Sequence, residues 1–201
     1  NAEKSSIKQQ YTQSKDFFIF VGSLHSRKNI NNLLLAFDNY KKQKGKYKLL
    51  IIGEKKWLDK NTKNIYKQML FQKEVIFLGR VHDSELPMIL AAAQALCFVS
   101  LFEGFGLPII ESMKASVPVI TSNTSAMPEI AQDAAIIVNP YDNIDIMNAL
   151  FKIEKNDSLK LALVKKGNER VLDFDWDVSA NKIWKILKYN CKKNARKNIC
   201  K

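Results

Sequence analysis

Six short apolar runs, the first three each closed by a glycine, constrain this chain more than any other feature. Phe17–Val21 ends in Gly22, 49–52 in Gly53 and 75–78 in Gly79; the runs 95–100, 117–121 and 135–138 follow. Between them the apolar period lengthens to that of a helix. Leu33, Leu34 and Phe37 lie on one face of 29–40, and helical patterns recur over 61–71, 108–114 and 127–131. Another runs from a cap at Asp83 through Leu86, Ile89 and Leu90 to Ala93. Uninterrupted apolar strands joined by helices are covered on both faces. The expected fold is therefore α/β: a doubly wound parallel sheet with helices on both faces.

After Asn139-Pro140 the pattern becomes a helical C-terminal segment over 143–155, 158–172 and 177–189. In the last, Asp177 is the expected cap, Ile183, Ile186 and Leu187 share a face, and Trp176 is expected in the core. A chain of 201 residues, 46% hydrophobic, can bury one substantial core. One domain over 15–190 is expected. Residues 1–14 read as a linker or expression scar, since no apolar leader follows Asn1-Ala2, and 191–201 as a basic flexible tail.

The formal charge is +12, from 32 basic and 20 acidic residues, and no acid occurs from position 178 onward. A charge run of this kind is ordinarily a solvated helix end. Contact with an anionic membrane surface is the alternative. Nucleic acid has no support, for there is no aromatic-interleaved basic strand, zinc spacing or recognition helix. Cys97, Cys191 and Cys200 form no spaced framework, and Cys97 falls in a buried run, which points to a reduced, cytoplasmic compartment. No apolar run reaches the roughly 20 residues of a membrane span.

The chemistry concentrates at residues 102–118, FEGFGLPIIESMKASVP. Glu103 and Glu111 flank a Gly104-Phe105-Gly106 turn that enters a helix at Leu107-Pro108. A strand, a tight glycine turn and a helix N-terminus bring backbone N–H groups together on an anion. Pro108 suits the first helical turn, where its missing N–H costs nothing. Two carboxylates beside an anion site suit a ligand that also carries hydroxyls, such as ribose or hexose. A second segment, 22–29 (GSLHSRKN), follows the first strand and opens a helix. Arg27 and Lys28 are poorly placed there against the helix dipole unless an anion joins them. The glycine patterns of dinucleotide folds and P-loops are absent.

Glu103-Gly104-Phe105-Gly106-Leu107-Pro108 and Glu111, with the A-x-x-x-P-V-I type segment at 114–120, resemble the E-x7-E region of retaining glycosyltransferases with the GT-B fold, specifically the family 4 type. The resemblance covers about 17–189 and only the C-terminal, donor-binding half of such an enzyme; the acceptor-binding N-terminal domain is the implied partner. It implies that Arg27 and Lys28 meet the donor diphosphate, with Gly22, Ser23 and His25 in the same loop. Ser23 stands where many members carry arginine, a departure from the family's pattern for which Arg27 is the candidate substitute. It also implies that Arg80 and Val81 contact the nucleobase. Glu103 lies by the donor sugar, Glu111 binds the ribose hydroxyls, and the amides of Phe105, Gly106 and Leu107 face the sugar and distal phosphate.

Other readings remain beside this one. Surface Arg-Lys pairs and capped loops are commonplace, Phe105 and Leu107 could belong to the core, and Gly53-Glu54 reads as an ordinary turn. Two carboxylates could form a glycosidase pair, but that scheme gives Arg27-Lys28 nothing to do. His25 and His82 lack partners at metal spacing, so no metal or cofactor is expected; the ligand is a GDP- or UDP-linked sugar. The expected function is donor binding in a glycosyltransferase that moves a mannose-like hexose to a polysaccharide or lipid-linked acceptor at the inner face of the membrane. The fragment alone is expected to bind without turnover. A free-standing nucleotide-sugar-binding or protein-interaction module is the alternative.

Overall fold

The computed structural model of the chain describes residues 2–199. Six strands, β1 (Phe17–Val21), β2 (Lys48–Ile52), β3 (Val75–Gly79), β4 (Ala95–Phe98), β5 (Val119–Ser122) and β6 (Ile136–Val138), form one sheet in the order β3-β2-β1-β4-β5-β6. Every pairing is parallel, with Phe18 opposite Leu49 on one side and Ala95 on the other. Phe17, Phe18, Ile19 and Phe20 of β1 are all fully buried, as a central strand covered on both faces requires. The helices α1 (Ala2–Thr12), α2 (Ile30–Lys42), α3 (Lys60–Gln68), α4 (Leu86–Ala91), α5 (Leu107–Lys114), α6 (Met127–Ala131), α7 (Asn143–Lys155) and α8 (Asp157–Val171) pack around the sheet, and α9 (Trp176–Ile199) follows.

The doubly wound sheet expected from the sequence is present. Its strand order reverses between β1 and β4: the chain builds outward through β2 and β3, then returns to the other side of β1. Such a reversal leaves a crevice at the carboxyl ends of the two strands, where ligands of open α/β sheets lie.

Five expectations differ from the structure. Residues 1–14 are not a linker: Ala2–Thr12 is helical and packs on α4, with Ile7 and Tyr11 against the core and Lys8 paired to Asp16 at 2.6 Å. Ile7 and Tyr11 are four apart, the spacing of one helix face. In place of a flexible tail from 191, the backbone stays helical to Ile199; no glycine or proline follows Gly167 to break it. Trp176 is not in the core but 82% exposed, because α9 begins there and presents Ile183, Trp184, Ile186 and Leu187 to solvent as well. Its cap is Asp175, whose Oδ1 accepts from the Val178 amide at 2.8 Å, rather than Asp177. Among the described residues Asp83 caps no helix; α4 starts later, after a turn in which the Glu85 and Leu86 amides reach the His82 carbonyl. Among the described residues no helix is long and apolar enough to cross a membrane.

Candidate functional site

The crevice is built from the two loops that leave β1 and β4. After β1 the chain turns at Gly22 (φ 148°), buries Leu24, and makes a short 3-10 turn over Ser26–Lys28. Asn29 closes that turn in the left-handed region (φ 60°) and is buried. Its Nδ2 donates to the carbonyls of Val99 at 2.9 Å and Pro140 at 2.7 Å, so this one amide ties the β1 loop to the end of β4. The Leu101 amide returns the tie by donating to the Arg27 carbonyl at 2.8 Å.

Strand β4 stops at Phe98, two residues before the apolar run ends, because side-chain hydroxyls take over from backbone donors. Thr121 Oγ1 donates to the Phe98 carbonyl at 2.9 Å, Ser122 Oγ to the Ser100 carbonyl at 2.6 Å, and Thr124 Oγ1 to the Leu101 carbonyl at 3.0 Å. Ser125 Oγ then accepts from the Glu103 amide at 3.0 Å. The segment is therefore clamped from both neighbouring loops.

Glu103 ends the clamped segment with a carboxylate that is only 8% exposed. Lys28 Nζ lies 2.6 Å from its Oε1, and Arg27 Nη1 lies 2.8 Å from its Oε2. The Lys28 side chain is buried to the same extent and sits 4.7 Å from the centroid of the Phe98 ring, whereas Arg27 is 48% exposed. Burial pushes the Glu103 carboxyl up, but the Lys28 ammonium and the Arg27 guanidinium outweigh it and hold it below the usual range. Two cations and one carboxylate leave a single net positive charge at the mouth of the crevice. A carboxyl held ionised in this way is a poor general acid, which weighs against the glycosidase pairing.

Beyond Glu103 the chain turns through Gly104-Phe105-Gly106. Gly106 has φ 107°, and its carbonyl accepts from the Ile109 amide at 2.9 Å as α5 begins with Pro108 in the first turn. Among the described residues no acceptor of the chain meets the amides of Phe105, Gly106 or Leu107. Phe105 and Leu107 are exposed rather than core. Phe105 lies edge-on to Phe174, 5.8 Å between centroids, in a cavity of about 480 Å³ shared with Leu107, Ile110 and Trp176.

A second cavity, about 260 Å³, opens at the ends of β1, β2 and β3, lined by Gly22, Ser23, Gly53, Glu54, Arg80 and Val81 among others. It unites the two loops expected to hold diphosphate and base. It also includes Gly53-Glu54, which the sequence left as a plain turn. Gly53 has φ 153°, its amide donates to the Gly79 carbonyl at 2.9 Å, and a Cβ there would lie 2.1 Å from the Gly22 carbonyl oxygen. The signal was present in the sequence, since Gly53 closes its strand as Gly22 and Gly79 close theirs. Glu111 is separate from Glu103. It is exposed on α5 and lines a groove of about 630 Å³ with Asp83, Leu86 and Lys114. Asp83 and Leu86 border both this groove and the Arg80-Val81 cavity, so the two are adjacent. His25 is exposed on the β1 loop, where its carbonyl accepts from the Lys28 amide at 2.8 Å. Asn29 and Ser125 carry no sequence signal; only the fold brings them to this edge.

A parallel doubly wound sheet with helices on both faces is the architecture of GT-B glycosyltransferase domains. The family model described as Glycosyl transferases group 1 matches residues 1–170, and the chain belongs to that family. It is 30% identical over 178 residues to O-antigen chain mannosyltransferase B of Escherichia coli, covering 88% of this chain and 47% of that protein. To O-antigen chain mannosyltransferase RfbU of Salmonella typhimurium it is 28% identical over 168 residues, 84% of this chain and 46% of that protein. Among solved structures, sucrose-phosphate synthase from Thermosynechococcus elongatus superposes with TM-score 0.82 at 22% identity, covering 96% of this chain and 49% of the other. Anabaena Alr3699/HepE in complex with UDP-glucose gives TM-score 0.83 at 17% identity, with 94% and 53% covered. The chain thus spans about half the length of these relatives.

Proposed function

We propose that this chain is the donor-binding, C-terminal half of a retaining glycosyltransferase of the family 4 type, acting on a GDP- or UDP-linked hexose. The observation that carries the reading is the meeting of Arg27, Lys28 and Glu103 at the β1/β4 reversal, beside the unpartnered amides that open α5. The diphosphate lies between Arg27 and those amides, adding the negative charge that the net-positive cluster lacks. Fixed donors of this kind stabilise the departing diphosphate by several kcal/mol without reorganising at the moment of reaction. Lys28, buried and held by Glu103, sets the local potential; Arg27, half exposed, is the group able to reach the phosphate. The base occupies the Gly22–Arg80–Val81 cavity, and the ribose lies toward Glu111 in the adjoining groove.

The names of the two O-antigen chain mannosyltransferases support mannose as the sugar, and the acceptor proposed with it is a polysaccharide or a lipid-linked sugar. The acceptor is selected by a second domain, so this half binds the donor without turning it over. Lys182, Lys185 and Lys188 along α9, interspersed with exposed Ile183, Trp184 and Leu187, suit a peripheral contact with an anionic membrane on the cytoplasmic side. Flotation with anionic vesicles that ignores salt and lipid charge removes that contact. Calorimetry with GDP, UDP, GDP-mannose and UDP-glucose tests the donor site. Binding of a nucleotide sugar with no release of free sugar is expected; no heat from any of the four at millimolar concentration refutes the reading.

A further inference from the structure

We infer that Ser125 is a positioning residue for Glu103 and for the glycine turn that follows it, which rests on the donor-site reading above. The hydroxyls of Thr121, Ser122, Thr124 and Ser125 meet Phe98, Ser100, Leu101 and Glu103 in matching order along the two segments. The first three bonds carry the chain off the end of β4. The fourth differs in kind. It reverses direction, with the hydroxyl accepting instead of donating, and it holds the backbone of the residue whose carboxylate gathers Arg27 and Lys28.

Ser125 reaches that amide from a backbone with φ 53°, a conformation that serine seldom adopts. Strain kept at a position with no core packing to enforce it needs a local return. Ser125 is exposed and contributes nothing to the core, so the bond to Glu103 is what its conformation secures. On the far side, the Arg27 guanidinium donates to the Phe102 carbonyl at 3.1 Å as well as to the Glu103 carboxylate. The peptide between Phe102 and Glu103 is thus gripped at its carbonyl by Arg27 and at its amide by Ser125. That peptide sets both the direction of the carboxylate and the entry into Gly104-Phe105-Gly106. Ser125 therefore acts on the sugar-facing part of the site through another residue, while the base cavity, formed by β1, β2 and β3 loops, lies outside its reach.

The test uses Ser125→Gly, which removes the hydroxyl and accepts the left-handed backbone without strain, so the fold is retained. In the free protein, hydrogen exchange at the Glu103 amide is expected to quicken by about tenfold, the loss of one ordinary hydrogen bond, with the sheet amides unchanged. With GDP-mannose or UDP-glucose, whichever the wild type binds, affinity falls about five- to tenfold, while GMP or UMP binds as before. Unchanged exchange at Glu103, or faster exchange across the whole sheet, overturns the inference. So does an equal loss for the monophosphate and the nucleotide sugar. If the wild type binds neither sugar nucleotide, the donor reading falls, and the exchange measurement still decides whether Ser125 fixes Glu103.

Discussion

Arg27 and Glu103 stand 76 residues apart in the chain and 2.8 Å apart in the fold. Their meeting, with Lys28 as third member, makes the crevice an electrostatic unit. Glu103 is the member on which the others depend. Its replacement by alanine leaves the buried Lys28 ammonium without its counter-charge, and breaking a buried pair from one side costs about 3–5 kcal/mol. Lys28→Met leaves Glu103 still paired to Arg27 and is expected to cost less. Urea denaturation of the two variants checks the order; a greater loss from Lys28→Met contradicts it.

The same carboxylate makes stability depend on acid. Its folded pKa lies below the unfolded carboxylate value of about 4.3. The contribution is therefore present above that value and lost as pH falls through the folded pKa. Glu103→Gln is expected to be less stable than the wild type at pH 7, with the gap closing below about pH 4. Urea midpoints from neutral pH downward give the answer, and a gap that stays constant counts against an ionised Glu103.

Gly53 and Gly104 should respond unequally to alanine. A Cβ at Gly53 meets the Gly22 carbonyl oxygen at 2.1 Å on a backbone of φ 153°, whereas one at Gly104 meets nothing within 4 Å. Gly53→Ala is expected to lose about 2 kcal/mol or more and to deform the cavity at the ends of β1, β2 and β3, while Gly104→Ala stays within about 0.5 kcal/mol. Thermal melts of the pair separate them.

Glu111→Ala tests the ribose assignment. Loss of a carboxylate that bonds ribose hydroxyls weakens nucleotide affinity by about 1–3 kcal/mol. Because Glu111 is exposed, the fold should be unaffected. Calorimetric affinity equal to that of the wild type takes Glu111 out of the site.

Cys97 is fully buried in β4, and burial pushes its thiol pKa up. It is expected to resist alkylation in the native protein and to react once urea unfolds the chain. Peptide mapping by mass spectrometry resolves it from Cys191 and Cys200, and rapid native labelling at Cys97 contradicts its placement.

The sheet was legible because its strands are buried on both faces, and double burial writes itself as continuous apolar runs such as Phe17–Val21. Strand ends were less so. The run 95–100 overshoots β4 because the hydroxyls that terminate it belong to Thr121 and Ser122, more than a strand away. Arg27, Lys28 and Glu103 could be nominated from local patterns, since each sits on a loop at a strand's carboxyl end. Their mutual pairing could not, for nothing local in either segment specifies the other. Trp176 misled because a large aromatic normally marks a core, and no pattern in α9 says whether its apolar residues are covered. Asn29 and Ser125 were invisible for a different reason: each works through one side-chain bond to distant backbone, which leaves no period and no motif.

The two halves of the crevice are also separated in time. A ribosome adding about 5–20 residues per second needs on the order of 4–15 s to travel from Arg27 to Glu103, 76 residues later. For that interval the growing chain carries the cations without the carboxylate that gathers them, and without the glycine turn that opens α5. Ser125 emerges later still. A stalled product ending at β3 carries Gly22 and Gly53 of the smaller cavity, yet neither Glu103 nor the turn that opens α5.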